Sequence, residues 1–266
     1  MSTIVFIHAH PDDEALLTGG TMALLARAGH RVVLATATTG EAGLAETATP
    51  DLGRRRADEL ARAAALLGCA RTVLLGYPDS GMREHPVARP DAFARQPVHV
   101  PARRLAELLC EEQADAVCCY DPAGGYGHPD HVQVHRIGLA AAELARTPVV
   151  LQATVDRRAL QRALRMLSFI RPDVPELRPG RYERLFTAHE LITHRVDVGA
   201  VIDVKRAAMS AHVSQAGADD GERMLARFLR LPPPAFRLVF GREWFVEAGR
   251  KSHSGGWRCL TKLTHV

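Results

Sequence analysis

The stretch Ile4-Val5-Phe6-Ile7-His8-Ala9-His10-Pro11-Asp12-Asp13-Glu14 decides how this 266-residue chain is to be read. Four consecutive apolar residues, three of them β-branched, suit a short strand covered on both faces. The His, Pro and acidic residues then fall where that strand turns into a helix. Pro11 suits the first helical position, and Asp12 and Asp13 fall in the first turn, where the helix dipole favours negative charge. Ligands of open α/β sheets collect at the carboxyl ends of the strands. The stretch therefore predicts a prepared metal or catalytic site.

Short apolar strands and helices alternate beyond it. Residues 13–28 predict a helix with Leu16, Leu17, Met22, Leu24 and Leu25 as its apolar stripe and Gly29 as its stop. Residues 31–36 predict a strand, 38–50 a polar loop, 54–67 a helix ended by Gly68, and 72–75 a strand. Residues 78–101, interrupted by Pro86, Pro90 and Pro97, predict a long lid or binding loop. A helix over 102–113, a strand over 115–119, a helix over 130–145 and a strand over 149–155 follow. This alternation predicts an α/β fold: a Rossmann-like, mostly parallel sheet with helices on both faces and a site at the C-terminal strand ends. In the last third the pattern predicts helices over 159–170, 200–213 and 219–231, the last stopped by Pro232-Pro233-Pro234. It also predicts a loop over 171–184, a strand over 191–198, an edge strand over 236–246 and a weakly ordered tail from 249. The length suits one domain over 1–266. Within it, 1–155 would be the core with the metal site, and 156–266 a C-terminal extension carrying substrate-rim loops.

A hydrophobic share of 47% with 24% charged residues is that of a globular protein, and only 5% aromatic residues argues against a β-sandwich. The net charge of +4 comes from scattered arginines with no run of five Lys/Arg, so no nucleic-acid partner is expected. Five cysteines, an odd number with no C-x-x-C pair, suit a reducing compartment. No signal peptide or membrane-length apolar segment is visible, which predicts a cytoplasmic protein with no membrane partner.

The second functional stretch is Tyr120-Asp121-Pro122-Ala123-Gly124-Gly125-Tyr126-Gly127-His128-Pro129-Asp130-His131. Like the first, it follows an apolar strand, turns through proline and opens a helix with His and Asp. Neighbouring parallel strands would join the two into one pool: His10, Asp12, Asp13, His128, Asp130 and His131, with Tyr126 close by. Helix-start acids alone would be ordinary, but a matching pair of histidines needs a further reason. Two His and one carboxylate with an open position is a catalytic zinc arrangement, and the same set also suits iron(II). A spare carboxylate beside the ligands favours a hydrolase, which needs a base for the water and a donor for the leaving group. His8, on the same strand face as His10, reads as support for it, and Glu14 as a helix-start acid.

The motifs HAHPDDE and GGYGHPDH together resemble those of the LmbE-like (PIG-L) family of zinc-dependent N-deacetylases. The likeness is closest to its mycothiol-pathway branch, the N-acetylglucosaminyl-inositol deacetylase and the mycothiol conjugate amidase. It is dense over the first half of the chain and thin afterwards. The resemblance implies that His10, Asp13 and His131 bind Zn2+, with Fe2+ able to use the same ligands, and that Asp12 is the general base. It implies that His128 protonates the leaving amine or stabilises the oxyanion, that Asp130 orients His128, and that Tyr126 polarises the amide carbonyl. Arg56 and Asp79 would bind substrate, and 205–215 would be a structural helix. Leu44 stands where that branch usually has an acid, which weakens inositol as the second ring. The implied reaction removes the N-acetyl group from a 2-acetamido-2-deoxy-sugar conjugate: a glycosyl-inositol, pseudo-disaccharide or glycosylated secondary metabolite. The partner is then a small amino-sugar conjugate, and a homo-oligomer is left open. The alternatives are a thiol-conjugate amidase, a non-haem iron(II) oxygenase and a non-catalytic sugar-binding protein.

Overall fold

The computed structural model describes residues 1–43, 51–82, 89–170, 185–216 and 224–250. In it the opening apolar run forms β1 (Thr3–His8), buried from Ile4 onward. The alternation continues through α1 (Asp13–Leu17), α2 (Gly19–Arg27), β2 (Arg31–Thr38), α3 (Leu52–Leu67), β3 (Arg71–Tyr77), α4 (His99–Glu111), β4 (Ala116–Tyr120), α5 (Pro129–Ala145), β5 (Val149–Thr154) and α6 (Arg157–Ile170). It closes with β6 (His194–Asp197), α7 (Ile202–Ala211), α8 (Val213–Ala216), α9 (Met224–Leu229), α10 (Pro233–Phe240) and β7 (Arg242–Glu247). The strands form one seven-stranded sheet in the order β3-β2-β1-β4-β5-β7-β6. The first five are parallel, and β7 runs antiparallel to both β5 and β6.

Successive residues of β1 face opposite cores, which is why the strand reads as an unbroken apolar run. Ile4 and Phe6 pack with Met22, Leu60 and Met209 on one face. Val5 and Ile7 pack with Leu105, Leu109 and Ile137 on the other. The α/β sheet with helices on both faces agrees with the sequence reading. From β1 the chain winds out to β2 and β3, then crosses back to β4 on the other flank. β1 and β4 are therefore neighbours at a topological switch point, and the loops that follow them meet there.

Several local expectations are corrected. The helix expected over 13–28 is broken at Thr18. The carboxylate of Glu243 accepts from the Gly20 and Thr21 amides at 2.8 Å each, starting a second helix. A Cβ on Gly20 would lie 2.5 Å from Val198, so only glycine fits that packing. Pro11 lies outside the helix, because Asp12 has φ 110° and cannot be helical. The prolines at 232–234 start a helix rather than stop one, with Pro233 at its first position, where proline lacks no needed donor. The expected edge strand over 236–246 is the end of α10 followed by β7, and β7 is interior, leaving β6 at the edge. Beyond residue 156, Val196, Met209, Phe236 and Phe245 belong to the same core as Ile4 and Phe6. Residues 171–184 and the tail from 251 lie outside the described residues. Among the described residues no helix is long and apolar enough to cross a membrane.

Candidate active site

The two loops converge on one carboxylate oxygen. Asp13 Oδ2 accepts the His10 amide at 2.9 Å and lies 3.2 Å from His10 Nδ1. The same oxygen lies 3.2 Å from His131 Nε2. His10, Asp13 and His131 are all buried. Asp12, one residue before, keeps a partly exposed carboxylate that Arg56 Nη2 approaches at 3.5 Å.

The second loop is held by its backbone. Gly124 has φ +64°, and a Cβ there would lie 2.7 Å from the Val132 amide, so the turn demands glycine. Asp121 accepts from the Gly125 amide at 2.9 Å and from Thr154 Oγ1 at 2.5 Å, tying the turn to β5. His128 is the N-cap of α5, and its Nδ1 accepts from the Asp130 amide at 3.1 Å. A neutral His128 therefore carries its proton on Nε2. The expected orientation of His128 by Asp130 runs through this amide. The Asp130 carboxylate instead meets His10 Nε2 and the Ser80 amide, each at 3.1 Å.

Electrostatically the cluster is a trap for positive charge. Burial opposes protonation of His10, but Asp13, Asp130 and Asp79 outweigh it and raise its pKa well above the usual value. Burial likewise works against ionisation of Asp13, yet the charges of His131 and His10 hold its pKa well below the ordinary carboxylate range. Burial, then the neighbouring Asp13 charge, lifts Asp12 to about 6 against the pull of Arg56. His128 is depressed to about 3 by burial and by the imidazoles of His10 and His131.

A divalent cation fits this donor set. His10, His128 and His131 offer nitrogens all within 4.8 Å of one another, and His10, Asp79 and Asp130 form a second such group. His131 Nε2 is buried without a hydrogen-bond partner even though Asp13 Oδ2 is close. A buried imidazole nitrogen facing a carboxylate oxygen 3.2 Å away, with no well-aligned hydrogen bond between them, suits two ligands of one ion.

The remaining expected residues are distributed as follows. Tyr126, 44% exposed, sits on the rim with its ring centroid 5.0 Å from that of His131 in an edge-to-face arrangement. Asp79 is buried with Oδ1 3.6 Å from His10 Nε2, and its oxygens accept from the Gly81 and Ala42 amides. Arg56 is only 3% exposed, and its guanidinium donates to the carbonyls of Gly40 and Pro11 at 2.6 Å each. Leu44 lies outside the described residues. Sequence reasoning missed Tyr120. Its ring stacks on His131 at 4.2 Å and 6°, and its hydroxyl accepts from the Ala9 amide and reaches His8 Nδ1 at 3.2 Å. His8 Nε2 meets Thr18 Oγ1 at 2.9 Å, so His8 supports the site from beneath. The available signal was a polar aromatic closing a buried strand just before the second motif.

A family model described as PIG-L, GlcNAc-PI de-N-acetylase, matches residues 5–142. A 1D-myo-inositol 2-acetamido-2-deoxy-alpha-D-glucopyranoside deacetylase of Saccharomonospora viridis is 38% identical over 232 residues, 80% of this chain and 84% of the relative. One of the same name from Acidothermus cellulolyticus is 34% identical over 271 residues, 92% of this chain and 88% of its own. The solved N,N'-diacetylchitobiose deacetylase from Pyrococcus horikoshii has a TM-score of 0.62 at 21% identity, covering 92% of this chain and 83% of the other. At that identity the likeness is one of fold.

Proposed function

The chain belongs to the PIG-L family, and from this premise we propose that it is a metal-dependent hydrolase removing the N-acetyl group from a 2-acetamido-2-deoxy-sugar conjugate. The supporting observation is the meeting of His10, Asp13 and His131 at one carboxylate oxygen, with Asp12 at their side. We assign those three residues as zinc ligands. Bound there, zinc supplies Lewis acidity to a water and to an amide carbonyl.

Asp12 takes the proton of the attacking water, since its carboxylate is the acid of the cluster that keeps an exposed edge. His128, protonated on Nε2 because Nδ1 accepts from an amide, donates to the oxygen or amine on which charge develops. Tyr126 stands at the rim to polarise the acetyl carbonyl. Asp130 and Asp79 hold His10, and Tyr120 holds His131. An N-acetylglucosaminyl-inositol substrate, deacetylated to glucosaminyl-inositol and acetate, is the proposal that follows the relatives.

The test is a panel of N-acetyl glycosides, the 1D-myo-inositol glycoside among them, assayed for acetate and free amine with and without chelator. Equimolar acetate and amine, abolished by chelation and restored by zinc or iron(II), is the expected result. A thiol conjugate cleaved without acetate release would mark an amidase instead. Oxygen-dependent turnover would mark an oxygenase, and sugar binding by metal-free protein without product a binding module.

A further inference from the structure

Asp12 carries a backbone that an L residue adopts only when its surroundings impose it, with φ 110° and ψ −30°. The Asp12 amide donates to Glu14 Oε2 at 2.9 Å. The other oxygen of Glu14 receives His212 Nε2 at 2.7 Å, and both side chains have no exposed surface. Arg56 Nη2 donates to the carbonyl of Pro11, the residue before Asp12, at 2.6 Å.

His212 is itself fixed. It is the C-cap residue of α7, and two residues on, Ser214 binds both oxygens of Glu59 in α3 through its amide at 2.8 Å and its hydroxyl at 2.6 Å. The imidazole cannot drift without dragging the start of α8 off α3. Were it removed, the buried Glu14 carboxylate would lose its firmest partner and turn away from the Asp12 amide. We infer that Glu14 and His212, 198 residues apart, form a positioning pair that holds Asp12 in its strained conformation and so aims its carboxylate at the reaction. This rests on the reading of Asp12 as the general base. It also gives the C-terminal third, which the family model does not reach, a direct hold on the site.

A pair with only a packing role would change stability and leave turnover per folded, metal-loaded molecule alone. The test compares His212→Ala, His212→Gln and His212→Asn for kcat, KM, zinc per chain and melting temperature, with a crystal structure of His212→Ala. Gln can place an N–H near the position of Nε2, whereas Asn places one nearer Nδ1. The expected result is a fall in kcat of about 10- to 100-fold in the Ala and Asn variants, as for other groups that orient a metal-site residue. KM and zinc content should stay near wild type, most of kcat should return with Gln, and φ of Asp12 should relax to negative values. Equal kcat in Gln and Asn variants, wild-type kcat in Ala, or φ unchanged near 110° would each overturn the pair, as would failure of all three variants to fold. If wild-type protein released no acetate, the proposed function would fall, and the Asp12 conformation in His212→Ala would still decide the pair.

Discussion

At the N-terminal ends of the parallel strands, charges are matched. Arg31 Nε meets Glu112 Oε2 at 2.7 Å, Arg71 Nη1 lies 2.8 Å from both Glu111 and Glu112, and Asp115 accepts from the Thr3 amide at 2.8 Å. At the C-terminal ends of the same sheet, four carboxylates (Asp12, Asp13, Asp79 and Asp130) crowd around His10, His128 and His131. Among the described residues, the guanidinium of Arg56 approaches Asp12 at 3.5 Å but donates its hydrogen bonds to two backbone carbonyls. Arg56 Nε, Asp130 Oδ1 and His131 Nε2 are buried without hydrogen-bond partners, and Asp12 is strained. One end stabilises the sheet; the other gathers acids, imidazoles and backbone strain at the place proposed for the cation and the substrate.

The sharpest way to break this contrast is at the strained aspartate. Asp12→Asn keeps shape and tolerates positive φ better than alanine would, so only the proton acceptor is lost. It should retain zinc and lose about 10²- to 10⁴-fold in kcat, whereas His10→Ala should lose the metal itself. Metal analysis beside steady-state kinetics separates the two, and an Asp12→Asn enzyme at full rate would end the assignment.

Arg56 sharpens the contrast differently. A substrate-binding role requires Arg56→Ala to raise KM with kcat unchanged. Its buried position between Gly40 and Pro11 predicts a loss of about 2–4 kcal/mol of stability, from two charge-assisted hydrogen bonds. A fall in kcat should accompany it as Asp12 loosens. Arg56→Lys should not rescue, because one ammonium cannot replace the two arms of the guanidinium. Denaturant titration and kinetics on the same preparations check both halves, and a pure KM effect would return Arg56 to the substrate.

The same contrast explains what was legible in the sequence. β1 to β5 could be read because parallel strands are short apolar runs between helices, unbroken where the strand is buried on both faces, as in β1 and β4. The His and Asp residues could be read because metal chemistry restricts residue type and the spacing within each loop is local. What could not be read depends on contacts across the chain. The break at Thr18 comes from Glu243, some 220 residues away. The stack of Tyr120 on His131 and the grip of Asp130 on His10 exist only once β1 and β4 are neighbours. Arg56 sits between Arg55 and Ala57 on a helix that looks solvated in sequence, and the Gly40 turn and the Pro11 carbonyl, distant in the chain, bury it. The prolines at 232–234 were ambiguous because the same residue stops one helix and starts the next.

The matched end yields the smallest effect. The Arg31 guanidinium beside Glu112 holds its carboxyl below the ordinary range, with partial burial working against it and Arg71 adding to the pull. Because the folded group titrates below its unfolded value of about 4.3, its stabilisation is complete above that pH and is lost as pH falls through the folded value. Glu112→Gln should therefore cost about 1 kcal/mol at neutral pH, little because both arginines are over a third exposed and solvent screens the pair. The gap to wild type should close in acid, below about pH 4, while kcat and KM stay unchanged. Denaturant midpoints at neutral and acid pH measure it. A gap that ignored pH would mean that Glu112 acts by packing, and a change in kcat would mean that the two ends of the sheet are coupled through the strands rather than separate in their tasks.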